Sequence, residues 1–170
     1  MRHTGFDPVY YIVFPAEEML HAKLALTEFI PVLKLDGFNV ATLSITQVLN
    51  DWFRGHKLRK AWQLGLEQSE NDRSLFQKTF SDKLEKEGVI TSAILEKLKA
   101  LEGRPGGLLI ITDVEALHPF IHISGIEQQL TGRFSVPTVV LYPGTRGSAH
   151  SLRFLGFHKE NGNYRSIHIG

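Results

Sequence analysis

Two carboxylates and a histidine follow a short apolar run in the second half of the chain. Leu108 to Ile111 is a run of large aliphatic residues introduced by Pro105-Gly106-Gly107, and it predicts a short strand that is buried on both faces. Asp113, Glu115 and His118 come directly after it. Ligands of open α/β sheets bind in the crevice outside the carboxyl ends of the strands. These residue types fit a site that handles a phosphate or a metal ion.

Strands and helices alternate along the rest of the chain, and they must position these side chains. Apolar residues at helical spacing fill 16–34 and most of 45–102, which predicts several packed helices. Such alternation predicts a single α/β domain over 1–170, with a mostly parallel sheet of about five strands and helices on both faces. The topology would be Rossmann-like or P-loop-NTPase-like. Five runs of strand length lie at 9–14, 38–43, 108–111, 135–142 and 164–169.

Prolines and apolar spacing predict where some of these elements bend or end. The apolar residues between Met19 and Leu33, among them Leu20 and Leu24, recur at helical spacing and predict an amphipathic helix. Pro31 should kink or restart that helix, because proline lacks the N–H that continues it. Pro143-Gly144 should end the fourth strand abruptly.

Polar residues follow four of the predicted strands. If these strands are parallel, Glu17, Ser44, Asp113 and Arg146 lie at one edge of the sheet. Loops begin at strand ends in every α/β protein, so polar residues accumulate there without any ligand. The pattern therefore fits two interpretations, a binding site and an ordinary set of loop residues at the strand ends.

The strand that ends at Asp113 is similar to the metal-binding strand of P-loop NTPases. Those enzymes also need a glycine-rich turn with Lys and Ser or Thr after the first strand. Here the first strand runs into Phe14-Pro15-Ala16-Glu17-Glu18, and the chain contains no GxxxxGK[ST] motif. Independent ATP hydrolysis by that route is not expected, whereas a relative of the fold without the phosphate-binding loop stays open.

No other complete catalytic motif is present. The chain has eight histidines and no cysteine, and no pair of histidines has the HExxH spacing of a zinc enzyme. His118 and His122 are four residues apart, but Pro119 lies between them. No serine has the GxSxG setting of a hydrolase. We therefore predict no catalytic residue, metal or cofactor, and keep a metal-dependent nuclease built on Asp113 and Glu115 as a remote alternative.

Composition and charge are those of an ordinary globular protein. The 170 residues carry a net charge of +1, which by itself indicates no nucleic-acid partner. Segment 146–165 is locally basic, with Arg146, Arg153 and Arg165 among interleaved aromatic residues. Such a segment can bind a phosphate backbone or an acidic partner, or it can fold onto the core with its charges in water. The apolar runs are too short for a membrane helix, and we expect a cytoplasmic protein.

Six short motifs are distributed along the chain: Val9-Tyr-Tyr-Ile-Val-Phe-Pro15, His118-Pro-Phe, Gly125-Ile-Glu-Gln-Gln-Leu, Val136-Pro-Thr-Val-Val-Leu-Tyr-Pro-Gly144, Ser151-Leu-Arg-Phe-Leu-Gly156 and Gly162-Asn-Tyr-Arg-Ser-Ile167. Together they resemble the BrxB family of BREX bacteriophage-defence systems. The likeness covers most of the chain, and its more specific parts are the Tyr-Pro-Gly and Leu-Arg-Phe-Leu-Gly elements and the Asn-Tyr-Arg ending.

This resemblance implies a component of a multi-gene prokaryotic system that methylates self DNA and blocks phage replication. It implies a non-catalytic accessory or assembly role, with other BREX proteins as partners, especially a PglZ-type alkaline-phosphatase-like protein. Nucleic acid is a further partner that the basic segment would allow. Candidate residues for ligand or partner binding are Asp113, Glu115, His118, Arg146, Arg153 and Arg165. The alternative function is a nucleotide- or nucleic-acid-binding protein related to P-loop NTPases.

Overall fold

The computed structural model describes residues 7–66, 70–146, 151–154, 161–162 and 167–169. Six α-helices lie in this part of the chain: α1 (Met19–Leu35), α2 (Ile45–Gly55), α3 (Arg59–Leu66), α4 (Glu70–Lys86), α5 (Val89–Leu101) and α6 (Ile123–Gln129). Two short 3-10 turns, Ala16–Glu18 and Val114–Leu117, follow the first and third strands. The strands are β1 (Val9–Phe14), β2 (Asn39–Ser44), β3 (Gly107–Thr112), β4 (Thr138–Arg146), β5 (Ser151–Phe154), β6 (Asn161–Gly162) and β7 (Ile167–Ile169).

The predicted parallel sheet is confirmed. Its strand order is β2-β3-β4-β1-β7, and all neighbours in this series are parallel. The path from β1 to β2 crosses the sheet in the direction opposite to the steps from β2 to β3 and from β3 to β4. Because crossovers between parallel strands are right-handed, α1 covers one face of the sheet and α2 to α6 cover the other.

The main hydrophobic core lies on the face covered by α2 to α6. It combines alternate residues of the strands, such as Tyr11, Leu109 and Ile111, with the buried stripe of α5, including Ile94 and Leu98. Each of these side chains is almost fully buried. By contrast, α1 has no buried residue, so the two faces of the sheet are covered very differently.

Helix α1 departs from the sequence prediction in two ways. It continues without interruption through Pro31, so the expected restart of the helix is wrong. Pro31 is exposed, and the carbonyl group that loses its donor one turn earlier can therefore face water. The stripe that faces the sheet contains Met19 and Leu33, as expected, whereas Leu20 and Leu24 are exposed.

Strand β4 does not end at Pro143-Gly144, contrary to the sequence prediction. Pro143 still lies opposite Phe14 at the end of the parallel pairing with β1. From Gly144 onward the strand pairs with β5 in the antiparallel direction, and Gly144 lies opposite Phe154. The new partner supplies backbone hydrogen bonds where the parallel ladder stops. Strands β5 and β6 were not among the five predicted strands.

Candidate functional site

The parallel register of β2 and β3 brings Ser44 and Asp113 together. Ser44 lies opposite Thr112, the residue before Asp113. Ser44 is also the N-cap of α2, where its Oγ accepts a hydrogen bond from the backbone N–H of Gln47 at 3.2 Å. The same hydroxyl donates to Asp113 Oδ2 at 2.5 Å. The strand-end serine therefore stabilises a helix terminus and a carboxylate at once.

The carboxylate of Asp113 has partners on both oxygens. Oδ2 accepts hydrogen bonds from Ser44 and from Thr112 Oγ1, the latter at 3.0 Å. Oδ1 lies 2.6 Å from Lys23 Nζ. Asp113 itself has left-handed backbone angles, with φ 62° and ψ 32°, a conformation that aspartate tolerates better than most residues. The turn thus points this side chain back across the end of the sheet.

Lys23 of α1 completes the site, and it was missing from the sequence predictions. Its Nζ also donates to Glu115 Oε1 at 2.7 Å, so one ammonium group bridges both carboxylates. The side chain of Lys23 is 37% exposed, and that of Asp113 is 18% exposed. Lys23 belongs to the sheet-facing stripe of α1, among Met19, Leu26 and Ile30. A lysine within an apolar stripe was the signal available in the sequence.

The electrostatics of Asp113 favour its ionised form. Burial raises the pKa of this carboxyl. Hydrogen bonds from Lys23, Ser44 and Thr112, together with the charge of Lys23, have the opposite and larger effect. The pKa of Asp113 therefore falls below the ordinary value of 3.8. Burial alone would lower the pKa of Lys23. Its hydrogen bonds to Asp113 and Glu115, with the charges of those two carboxylates, raise the pKa above 10.5 instead. The site is therefore one ammonium group shared by two carboxylates.

This geometry uses the carboxylates for an internal ion pair. A metal-dependent mechanism would need Asp113 and Glu115 as open ligands, whereas Lys23 lies between them. Among the residues that the structure describes, no group of three or more His, Asp or Glu side chains could hold a metal ion. The turn after β1 presents the exposed Glu17 and Glu18, which would repel phosphate groups.

The other predicted site residues lie elsewhere or outside the described residues. His118 follows the second 3-10 turn and lines, with Tyr142, a small cavity of about 10 Å³. Val140 pairs with Ile111, so Arg146 lies four residues beyond the level of Asp113, on the order of 13 Å along the strand. Arg153 lies in β5 and pairs with Thr145 of β4. Arg165 lies outside the described residues.

Comparison with known proteins agrees with the resemblance seen in the sequence. The family model described as BREX protein BrxB matches residues 41–169, which is most of the chain. The chain belongs to the BrxB family. The match starts within β2, so β1 and α1 precede it. No curated protein and no solved structure matches the chain significantly.

Membership of the BrxB family makes the chain a component of a BREX defence system. Other BREX proteins are the partners that this membership indicates. None of the described helices is long and apolar enough to cross a membrane.

Proposed function

We propose that the chain is a single cytoplasmic α/β domain and a non-catalytic assembly component of a BREX system. It acts through contacts with other BREX proteins, especially a PglZ-type alkaline-phosphatase-like protein. The observation that carries the non-catalytic role is the bridge from Lys23 to Asp113 and Glu115. The two carboxylates that stand where an α/β enzyme would hold a metal or phosphate already share an ammonium group as their partner.

The ion pair supports a structural role for these carboxylates for a simple reason. A catalytic carboxylate must be able to bind a metal ion or exchange a proton during the reaction. Asp113 instead has three hydrogen-bonding partners and a pKa lowered further from neutrality. Lys23 connects α1 to the end of β3 through these ion pairs. We therefore assign the site a role in stabilising the fold.

A defence assay with conservative variants tests the absence of catalysis. We expect Asp113→Asn and Glu115→Gln to keep phage protection in a strain that carries the whole defence locus, provided that the purified variants retain the wild-type circular dichroism spectrum. Glu102→Gln, at an exposed position beyond α5, is the matched control. Lost protection with a folded Asp113→Asn protein would contradict the non-catalytic role.

A pull-down from cells that express the complete locus tests the assembly role. We expect tagged wild-type protein to recover a PglZ-type protein, and we expect nuclease treatment to leave that recovery unchanged. The alternative function is nucleotide or nucleic-acid binding through Asp113, Arg146 and Arg153. It predicts that the tagged protein recovers nucleic acid and that nuclease treatment abolishes this recovery. Recovery of nucleic acid alone, lost with Arg146→Glu/Arg153→Glu, would replace the assembly role by this alternative.

A further inference from the structure

Helix α1 exposes a second apolar stripe on the side that faces away from the sheet. Its members recur at helical spacing and lie on one face of the helix. Leu24 is 56% exposed and Leu35 is 88% exposed. We call this surface the outer stripe, and it consists of Leu20, Leu24, Glu28, Val32 and Leu35.

The outer stripe is larger than a surface helix requires. A helix on the outside of a sheet needs one apolar stripe, and α1 already has one in the residues that face the sheet. Phe29 beside the outer stripe and Phe38 beyond the end of α1 are also exposed. Exposed apolar side chains that are grouped on one helix face favour a contact with another macromolecule.

Charges around the outer stripe define what can cover it. Glu28 lies in the middle of the stripe, one turn from both Leu24 and Val32. Glu17 and Glu18 are exposed at the amino-terminal end of the helix. Asp36 and Lys34 are exposed at its carboxyl-terminal end. The other lysine of α1, Lys23, is occupied by Asp113 and Glu115. The surface is therefore apolar along its length and acidic at its centre and at the amino-terminal end of the helix.

A second copy of the chain fits this surface poorly. In a two-fold symmetric contact, α1 faces its own copy, either in parallel register or in the antiparallel direction. The midpoint of α1 lies next to Glu28, so the two Glu28 side chains would be buried near each other without a counter-charge. Burying unpaired like charges is strongly unfavourable. A basic residue from a different protein would neutralise Glu28 instead.

The outer stripe is also held in place before any partner binds. The ion pairs of Lys23 fix the first half of α1 against the end of β3, and the helix is continuous through Pro31. A rigid, preformed helix face loses little conformational entropy when it binds. An apolar face of this kind is complementary to an amphipathic helix with side chains at i, i+3, i+4 and i+7.

We propose that the outer stripe of α1 docks an amphipathic helix of another subunit, which places leucine-type side chains against Leu24 and Leu35 and a lysine or arginine opposite Glu28. This inference rests on the proposed assembly function and names the surface that would serve it. The apolar contacts supply the free energy, and the basic residue sets which helix is accepted.

Synthetic helices test this surface directly. Two fluorescein-labelled peptides with the same leucine face, one with lysine flanks and one with glutamate flanks, would be titrated with the purified protein by fluorescence anisotropy. We expect the lysine-flanked peptide to bind about tenfold or more tightly. Leu24→Gln/Leu35→Gln should abolish its binding, whereas Leu64→Gln/Leu75→Gln, which alters two leucines exposed on α3 and α4, should leave it unchanged.

Reversal of the charge at Glu28 distinguishes specific docking from nonspecific hydrophobic binding. We expect Glu28→Lys to reverse the preference, so that the glutamate-flanked peptide binds more tightly. Equal affinity for both peptides, or binding that survives Leu24→Gln/Leu35→Gln, would overturn the proposal. A wild-type dimer in light scattering that Leu24→Gln/Leu35→Gln converts to a monomer would overturn it in favour of a second copy.

The defence complex separates a failure of this surface from a failure of the assembly role. We expect Leu24→Gln/Leu35→Gln to lose the BREX protein that the wild-type chain recovers, and Leu64→Gln/Leu75→Gln to retain it. If the outer-stripe variant retains that protein, the docking surface is wrong and the assembly role stands. If the wild-type chain recovers no BREX protein, the assembly role fails, and this inference fails with it.

Discussion

Lys23 Nζ and Glu115 Oε1 lie 2.7 Å apart although 92 residues separate them in the chain. The same nitrogen lies 2.6 Å from Asp113 Oδ1. This contact connects the only helix assigned to one face of the sheet, among the residues described, to the carboxyl end of β3. It therefore holds in place the helix that carries the outer stripe.

Removal of the Lys23 charge should destabilise the protein. In Lys23→Met the aliphatic stem remains, but Asp113 and Glu115 lose their shared counter-charge and repel each other. Lys23 is 37% exposed, so we expect a loss between that of exposed and buried ion pairs, about 1–2 kcal/mol. Thermal unfolding checks it, with Lys34→Met at an exposed position of the same helix as the control. Equal melting temperatures for the two variants would contradict a structural role for the bridge.

The lowered pKa of Asp113 predicts a specific loss of stability in acid. A carboxyl whose pKa is lower in the folded state stabilises the protein above the unfolded value, here near 3.8, and that contribution is lost as the pH falls through the folded value. Asp113→Asn should therefore be less stable than the wild type at neutral pH, with the difference narrowing below about pH 4. Urea unfolding at several pH values checks this. Asp51→Asn, at an exposed position of α2, should preserve the wild-type pH dependence.

The indole of Trp52 should control the ionisation of Glu87. Trp52 Nε1 donates to Glu87 Oε2 at 2.8 Å, and this bond, followed by that from His56, lowers the pKa of Glu87 below 4.5. In Trp52→Phe we expect that pKa to rise, as measured by carbon-13 NMR of the carboxyl group. Lys83→Met removes only a weaker, purely coulombic effect and should raise it less. A larger rise with Lys83→Met would contradict the assignment to the indole.

Two leucines should differ sharply in their effect on stability. Leu98 of α5 is 2% exposed, and Leu98→Ala leaves a cavity in the core that costs about 2–5 kcal/mol. Leu24→Ala, on the outer stripe, should change the free energy of unfolding by less than about 0.5 kcal/mol. Urea unfolding of the isolated chain measures both. Comparable losses would mean that the outer stripe is already covered within the monomer.

The sequence by itself determined the parallel α/β sheet and the position of Asp113 at its edge. Long apolar runs such as Leu108 to Ile111 identify buried strands, and their alternation with helices requires a parallel sheet. The absence of a phosphate-binding loop after Phe14 was equally visible. The motifs after His118 also identified the family, which the family model confirms.

Only the tertiary structure decided which face of α1 points inward and which partner Asp113 has. Leucines occur all around α1, so its periodicity alone could not select Leu26 and Leu33 over Leu20 and Leu24 as the sheet-facing residues. The partner of Asp113 depends on the long crossover from β1 to β2, which carries Lys23 past the end of β3. The contact between Lys23 and Asp113 depends on the order in which the strands are arranged in the sheet, and local sequence patterns do not determine that order.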